Sequence, residues 1–146
     1  MCGIAGFSRS EGKSSLPSSL DVAHALWLSI ESRGRDATGG AWVDRDGNFW
    51  YAKEPTLARN FTTEIDPDSP MAILHTRAAT TGSPKDNRNN HPIVRSGVAL
   101  THNGVVRNHR KVMDKYQIEA EAEVDSEVFA AMIGERPGKI YDRLRL

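Results

Sequence analysis

The sequence predicts one domain in which short strands and a few amphipathic helices are mixed, and three features carry that expectation. A capped helical repeat occupies residues 18–34, a hairpin pattern occupies 41–51, and apolar runs of strand length lie at 2–7, 71–75 and 97–102. At 146 residues the chain has room for one core, so the domain is expected to span residues 1–146.

Residues 2–7 are small and apolar, which suits a short buried strand, and Gly3 and Gly6 leave room for a substrate or for tight packing against a neighbour. Residues 8–17 form a polar loop. Ser18 and Asp21 stand at capping spacing, Val22, Leu26 and Ile30 recur every four residues, and Gly34 offers a stop. In the hairpin, Trp42 and Val43 lie on one arm, Asp44-Arg45-Asp46-Gly47 turns the chain, and Phe49, Trp50 and Tyr51 return. Residues 56–70 read as connection. The stretch 80–90 between the next two strands is too rich in Gly, Pro, Asn and charge to be expected in a core, and a loop of that length is usually functional. Asp125 is placed to cap a helix carrying Val128, Phe129, Ala130 and Met132 up to Gly134, and a last helical segment follows Pro137-Gly138. Trp27, Trp42 and Trp50 are read as core residues.

Charge narrows the function classes. Lys plus Arg and Asp plus Glu each total 19, so there is no basic footprint for nucleic acid or an anionic membrane. No apolar run reaches the ~18–20 residues that span a bilayer, and the start lacks the pattern of a signal peptide, so a cytoplasmic protein is expected. The single cysteine, Cys2, acts as a thiol if it acts at all. His24, His75, His91, His102 and His109 form no short ligand motif, so neither metal nor cofactor is expected.

Position two gives that cysteine a particular chemistry. A small side chain there favours removal of Met1, after which one residue carries both a thiol and a free α-amine. An α-amine of pKa about 7.7–8.0 is partly unprotonated near neutrality and can take the thiol proton. The opening Met1-Cys2-Gly3-Ile4-Ala5-Gly6 resembles that of the class II, N-terminal-nucleophile glutamine amidotransferases. Four later segments resemble the same family in the same order: Glu31-Ser32-Arg33-Gly34-Arg35-Asp36-Ala37-Thr38-Gly39; His75-Thr76-Arg77-Ala78-Ala79-Thr80 with Asn90-His91-Pro92; His102-Asn103-Gly104; and Asp125-Ser126-Glu127-Val128. The similarity is greatest to the glutaminase domains of glucosamine-6-phosphate synthase and amidophosphoribosyltransferase.

The resemblance implies an α+β fold, the αββα four-layer sandwich of the Ntn hydrolases, shortened here at the C-terminus. It also implies hydrolysis of the glutamine amide through a γ-glutamyl thioester on Cys2, giving glutamate and ammonia for a separate synthetase or acceptor subunit. By the same resemblance Asn103 and the Gly104 N–H form the oxyanion hole, Arg77 binds the glutamine carboxylate and Asp125 its amine. Arg33 lies near the nucleophile, where it would favour the thiolate; Thr80 would hydrogen-bond near the substrate, and His91 would shape the glutamine loop. An arginine fork suits a carboxylate in a way that lysine does not, and preorganised donors suit an oxyanion. Read without the family, Arg77 could be a surface ion pair, Asp125 a plain helix cap, and Asn103-Gly104 a hairpin turn.

Two departures stand out. Ala78 occupies a position where the family usually has a bulky aromatic, and the chain is shorter than family domains. A shortened second sheet would leave Val98, Leu100, Val128 and Met132 near solvent, which favours a homodimer or partner. Two other classes of function stay open: an Ntn-type amidohydrolase acting on another γ-glutamyl compound, and a catalytically dead module used for binding or assembly.

Overall fold

The computed structural model describes residues 1–10 and 17–144, so most of the polar loop expected over 8–17 lies outside the described residues. Its elements are β1 (Gly3–Ser8), α1 (Ser19–Ile30), β2 (Ala37–Val43), β3 (Phe49–Glu54), β4 (Met71–Arg77), β5 (Ile93–Arg95), β6 (Val98–Leu100), α2 (His109–Tyr116), α3 (Glu127–Glu135) and α4 (Ile140–Arg143). Four strands form one antiparallel sheet in the order β1-β4-β2-β3, and β5 and β6 form a separate two-stranded sheet.

Alternation along β4 sorts the layers. Ala72, Leu74 and Thr76 point to α1, where Trp27 and Leu74 are fully buried with Ala23, Trp42 and Phe61, and the Thr76 hydroxyl donates to the Ile30 carbonyl at 2.8 Å. Ser18 caps α1 by accepting the Asp21 N–H at 3.1 Å, as its spacing predicts. Ile73, His75 and Arg77 point the other way. There the segment before β5 crosses the sheet: His75 stacks on His91 at 4.3 Å, and the Lys53 ammonium donates to the carbonyls of Asn90 and Pro92 at 2.8 and 3.0 Å. On the far side of the small sheet lies α3, with Ile93, Val124 and Ala130 in one cluster. The layers therefore run helix, sheet, sheet, helix, the mixed α+β sandwich that was expected.

Several local expectations change. The N-terminal strand is an edge strand rather than a buried one, and Ile4 is 45% exposed. Gly3 makes no room for substrate, since a Cβ there would meet Thr76 Oγ1 at 2.6 Å and Ile30 Cβ at 2.7 Å; it lets α1 lie close on the sheet. Trp50 is exposed, its indole donating to Asp44 at 2.8 Å. The connection 56–70 contributes Ala58, Phe61 and Ile65 to the core. Strand β5 had no counterpart in the sequence pattern; it pairs with β6 around Ser96 and Gly97, both at positive φ as a tight hairpin turn requires.

Val128 and Met132, expected near solvent, are buried against Val112 and Met113 of α2, while Val98 and Leu100 are half-buried. The apolar exposure lies elsewhere. Ile4, Met71, Phe49 and Tyr51 share the face of the large sheet that meets the β5–β6 layer, and each is partly open to solvent. Beneath the small sheet, Glu127 is fixed by Arg95 at 2.7 Å and by the N–H groups of Glu121 and Ala122 at 2.8 and 3.1 Å. That buried pair sets the segment leading to Asp125.

Candidate active site

Four chain segments converge because of these pairings. Gly3 pairs with Thr76, which places Cys2 beside Arg77 at the end of β4. The carbonyl of His102 lies 3.3 Å from His75 Nε2, so the turn after β6 is held over the same end of the sheet. Asp125, just before α3, accepts the N–H of Val106, which ties the turn of Asn103 and Gly104 to that helix. The result is a cleft of about 290 Å³ lined by Cys2, Arg77, Thr80, His91, Asn103, Gly104 and Asp125, with Met1 at its rim. Larger cavities of about 570 and 650 Å³ open elsewhere, but neither contains Cys2.

The thiol is held by one backbone residue. Ala78 N–H points at Cys2 Sγ from 3.4 Å, and the Ala78 carbonyl lies 3.7 Å from it. The Ala78 main chain thus brackets the sulfur, a contact that needs no particular side chain at position 78. Arg33 stands beside Cys2 as expected, its Nε donating to the Cys2 carbonyl at 3.2 Å, but it is exposed and does not line the cleft. It holds the Cys2 backbone rather than its sulfur.

Arg77 is buried, with 3% of its surface exposed, and no carboxylate lies within 4.0 Å of it among the described residues. The surface ion pair is therefore ruled out. Burial pushes the guanidinium below its ordinary range, offset in part by the nearby Cys2 and Asp36. Nη1 donates to Asn90 Oδ1 at 2.8 Å, and Nη2 donates to the carbonyls of Thr81 and, at 2.9 Å, Gly82. An arginine has five N–H donors, so two remain for a ligand.

Asp125 does not cap α3, whose N-cap is Ser126 without a side-chain bond; Asp125 is half-buried in the cleft instead. Asn103 and Gly104 are exposed, and among the described residues neither the Asn103 amide nor the Gly104 N–H is taken by another protein group. The hairpin-turn reading fails because Asn103 and Gly104 join β6 to the approach to α2 rather than to another strand. Gly104 has a steric reason as well: a Cβ there would come within 2.7 Å of the His102 ring, which Ser126 Oγ holds at 3.0 Å from Nδ1 and which packs on Phe129.

Thr80 lies exposed on the rim, without a side-chain hydrogen bond among the described residues. His91 reaches the cleft wall, yet it is 6% exposed and neither ring nitrogen has a hydrogen-bond partner among the described residues. Burial lowers its pKa to about 2 and that of His75 to about 4, so the stacked pair is neutral at ordinary pH. Among the described residues, no group of three or more His, Cys, Asp and Glu converges to hold a metal ion. Sequence reasoning missed Asn89 and gave Asn90 no role although it stands in the Asn90-His91-Pro92 segment; both are fully buried, and the signal available was an amide pair closing a long polar loop.

Sequence comparison agrees with the geometry. The chain is 32% identical over 143 residues to a glutamine–fructose-6-phosphate aminotransferase of Corynebacterium glutamicum, covering 92% of this chain and 23% of that protein. It is 33% identical over 149 residues to the enzyme of the same name from Fusobacterium nucleatum, covering 97% of this chain and 23% of that protein. Over nearly all of its own length the chain is similar to the class II glutamine amidotransferases. No family model matches the chain. Its fold is that of a solved glutamine phosphoribosylpyrophosphate amidotransferase from B. subtilis, with a TM-score of 0.72 at 17% identity over 99% of this chain and 31% of that one. The chain thus spans about a quarter of the curated relatives' length. None of its described helices is long and apolar enough to cross a membrane.

Proposed function

We propose that residues 1–146 form a glutaminase domain in which Cys2 attacks the side-chain amide of glutamine. The observation that carries this reading is the buried, carboxylate-free Arg77 in one cleft with a thiol, a half-buried aspartate and two unoccupied N–H donors. A buried cation without a counter-charge is costly, and a ligand carboxylate supplies the missing partner. Asp125 would then take the α-ammonium, Asn103 and the Gly104 N–H the oxyanion. Thr80 and His91 complete the wall around the substrate, and Arg33 keeps the Cys2 backbone in place.

In the reaction, the Cys2 α-amine takes the thiol proton and the sulfur bonds to the amide carbon. The amine returns the proton to nitrogen as the C–N bond breaks, releasing ammonia and leaving a γ-glutamyl thioester. Water then cleaves the thioester to glutamate and the free thiol. Met1 must leave first. It is 84% exposed at the rim of the cleft, so its removal both frees the amine and widens the entrance.

The glutamine analogue diazo-oxo-norleucine tests this, because it presents an electrophilic carbon to the thiol. Processed protein is expected to gain one adduct on Cys2 by intact mass and peptide mapping. Absence of the adduct, or equal labelling of Cys2→Ala, would remove Cys2 as nucleophile.

Ammonia is proposed to pass to an acceptor domain or subunit in the cytoplasm. We further propose that Ile4, Met71, Phe49 and Tyr51 are covered in a homodimer or by that partner. A homodimer is expected to melt at higher temperature as protein concentration rises, and a concentration-independent monomer by light scattering would refute it.

A further inference from the structure

The loop 80–90 was expected to be too polar to pack, yet it ends in two asparagines that are fully buried. Their side chains are saturated in a way that fixes which atom faces which neighbour. Asn90 Nδ2 donates to the Pro84 carbonyl at 2.7 Å and to Asn87 Oδ1 at 2.8 Å, so its oxygen is turned to Arg77. Asn89 Oδ1 accepts the Glu123 N–H at 2.7 Å, and its Nδ2 donates to Glu123 Oε2 at 2.8 Å and to the Ser83 carbonyl at 3.2 Å. Flipping either amide would set N–H against N–H, so both orientations follow from the network.

Asn90 therefore meets the guanidinium of Arg77, and Asn89 meets the segment two residues before Asp125. The two groups that would hold the ends of an amino-acid head group are joined through adjacent buried amides. Each oxygen that Arg77 bonds, from Asn90, Thr81 and Gly82, is electrically neutral. Neutral acceptors orient a guanidinium without discharging it. A carboxylate in the place of the Asn90 amide would still accept from Arg77, but it would give up the two donations of Nδ2 to Pro84 and Asn87 and would cancel the charge that a ligand needs.

We propose that Asn90 is a positioning residue of the carboxylate subsite, holding Arg77 in its ligand-ready orientation while leaving its positive charge available to an amino-acid carboxylate. This rests on the glutaminase reading above. Through the Lys53 bond to the Asn90 carbonyl and the Asn89–Glu123 bonds, the loop is held in this arrangement without substrate. The site thereby favours ligands bearing a free α-carboxylate over uncharged amides of similar size.

The test compares Asn90→Asp with Asn90→Ser in the processed full chain. Asn90→Asp puts a competing anion on Arg77 and is expected to raise KM for glutamine about tenfold to a hundredfold with kcat within about threefold, the loss expected for one charge-assisted contact. Asn90→Ser loses packing but adds no charge, so its KM should rise less. Alkylation of Cys2 by iodoacetamide, which has no head group, should proceed in both variants within about twofold of the parent rate. An unchanged KM in Asn90→Asp, or equal damage by Ser and Asp, would overturn the proposal, as would parallel loss of alkylation. A parent protein that releases no glutamate from glutamine would instead refute the glutaminase reading, so the two failures are distinguishable.

Discussion

Asn103→Ala is expected to lower glutamine turnover by about two to three decades while leaving KM nearly unchanged, as for loss of one oxyanion donor. The structural reason is that the Asn103 amide stands open in the cleft with no partner among the described residues, so it forms its important bond only with what arrives there. Its position does not depend on its own side chain. The turn is fixed by the His102 carbonyl at His75 and by the Val106 N–H on Asp125, so the variant should keep its fold and its affinity. Arg77→Lys is expected to give the opposite profile, because a single ammonium cannot at once satisfy Asn90, Thr81 and Gly82 and present two donors to a carboxylate. KM should rise and kcat should change less. Steady-state kinetics of the two variants would refute this division if both showed the same pattern.

The helix after Ser18, the hairpin through residues 41–51 and the placement of Cys2, Arg77, Asn103, Gly104 and Asp125 in one cleft were legible because they rest on local signals or ordered motifs. What the sequence concealed depends on partners distant along the chain. Asp125 looks like a helix cap in sequence, and only the approach of Val106 shows where its oxygen is used. Arg33 and Arg77 look alike as cations near a motif; packing decides that one is exposed on a carbonyl and the other buried in the cleft. Asn89 and Asn90 were hidden by composition. Polar residues are read as solvated unless their bonds are visible, and these find theirs in Glu123, Arg77 and the loop's own carbonyls. Trp50 erred the other way, since an aromatic on an edge strand can lie flat on a turn with its indole N–H satisfied by Asp44.

Acid is expected to unfold this domain through His75 and His91 well before the carboxylates titrate. Both rings are buried on the inner face of the large sheet, stacked on each other, with His75 held near pKa 4 and His91 near 2, chiefly by desolvation. In the unfolded chain each returns to about 6.5. Between about pH 6.5 and 4 the unfolded state therefore binds the greater number of protons, so stability must fall as pH falls through that window. Lowering the pH from 7.5 to 5 should cost on the order of 2 kcal/mol per histidine, a large share of the stability of a small domain. Asp86 and Glu31, whose pKa values are also lowered, begin to matter only below about pH 4.5, so this window isolates the histidines. The Lys53 ammonium, lowered to about 8 by burial, acts only on the alkaline side. Urea unfolding at half-unit steps from pH 7.5 to 5 should show a falling midpoint, with the slope of free energy against pH approaching that of two protons. A midpoint that stays level to pH 5 would mean that the pair accepts a proton in the folded state. The neutral stacked wall beside the cleft would then be the wrong description of that site.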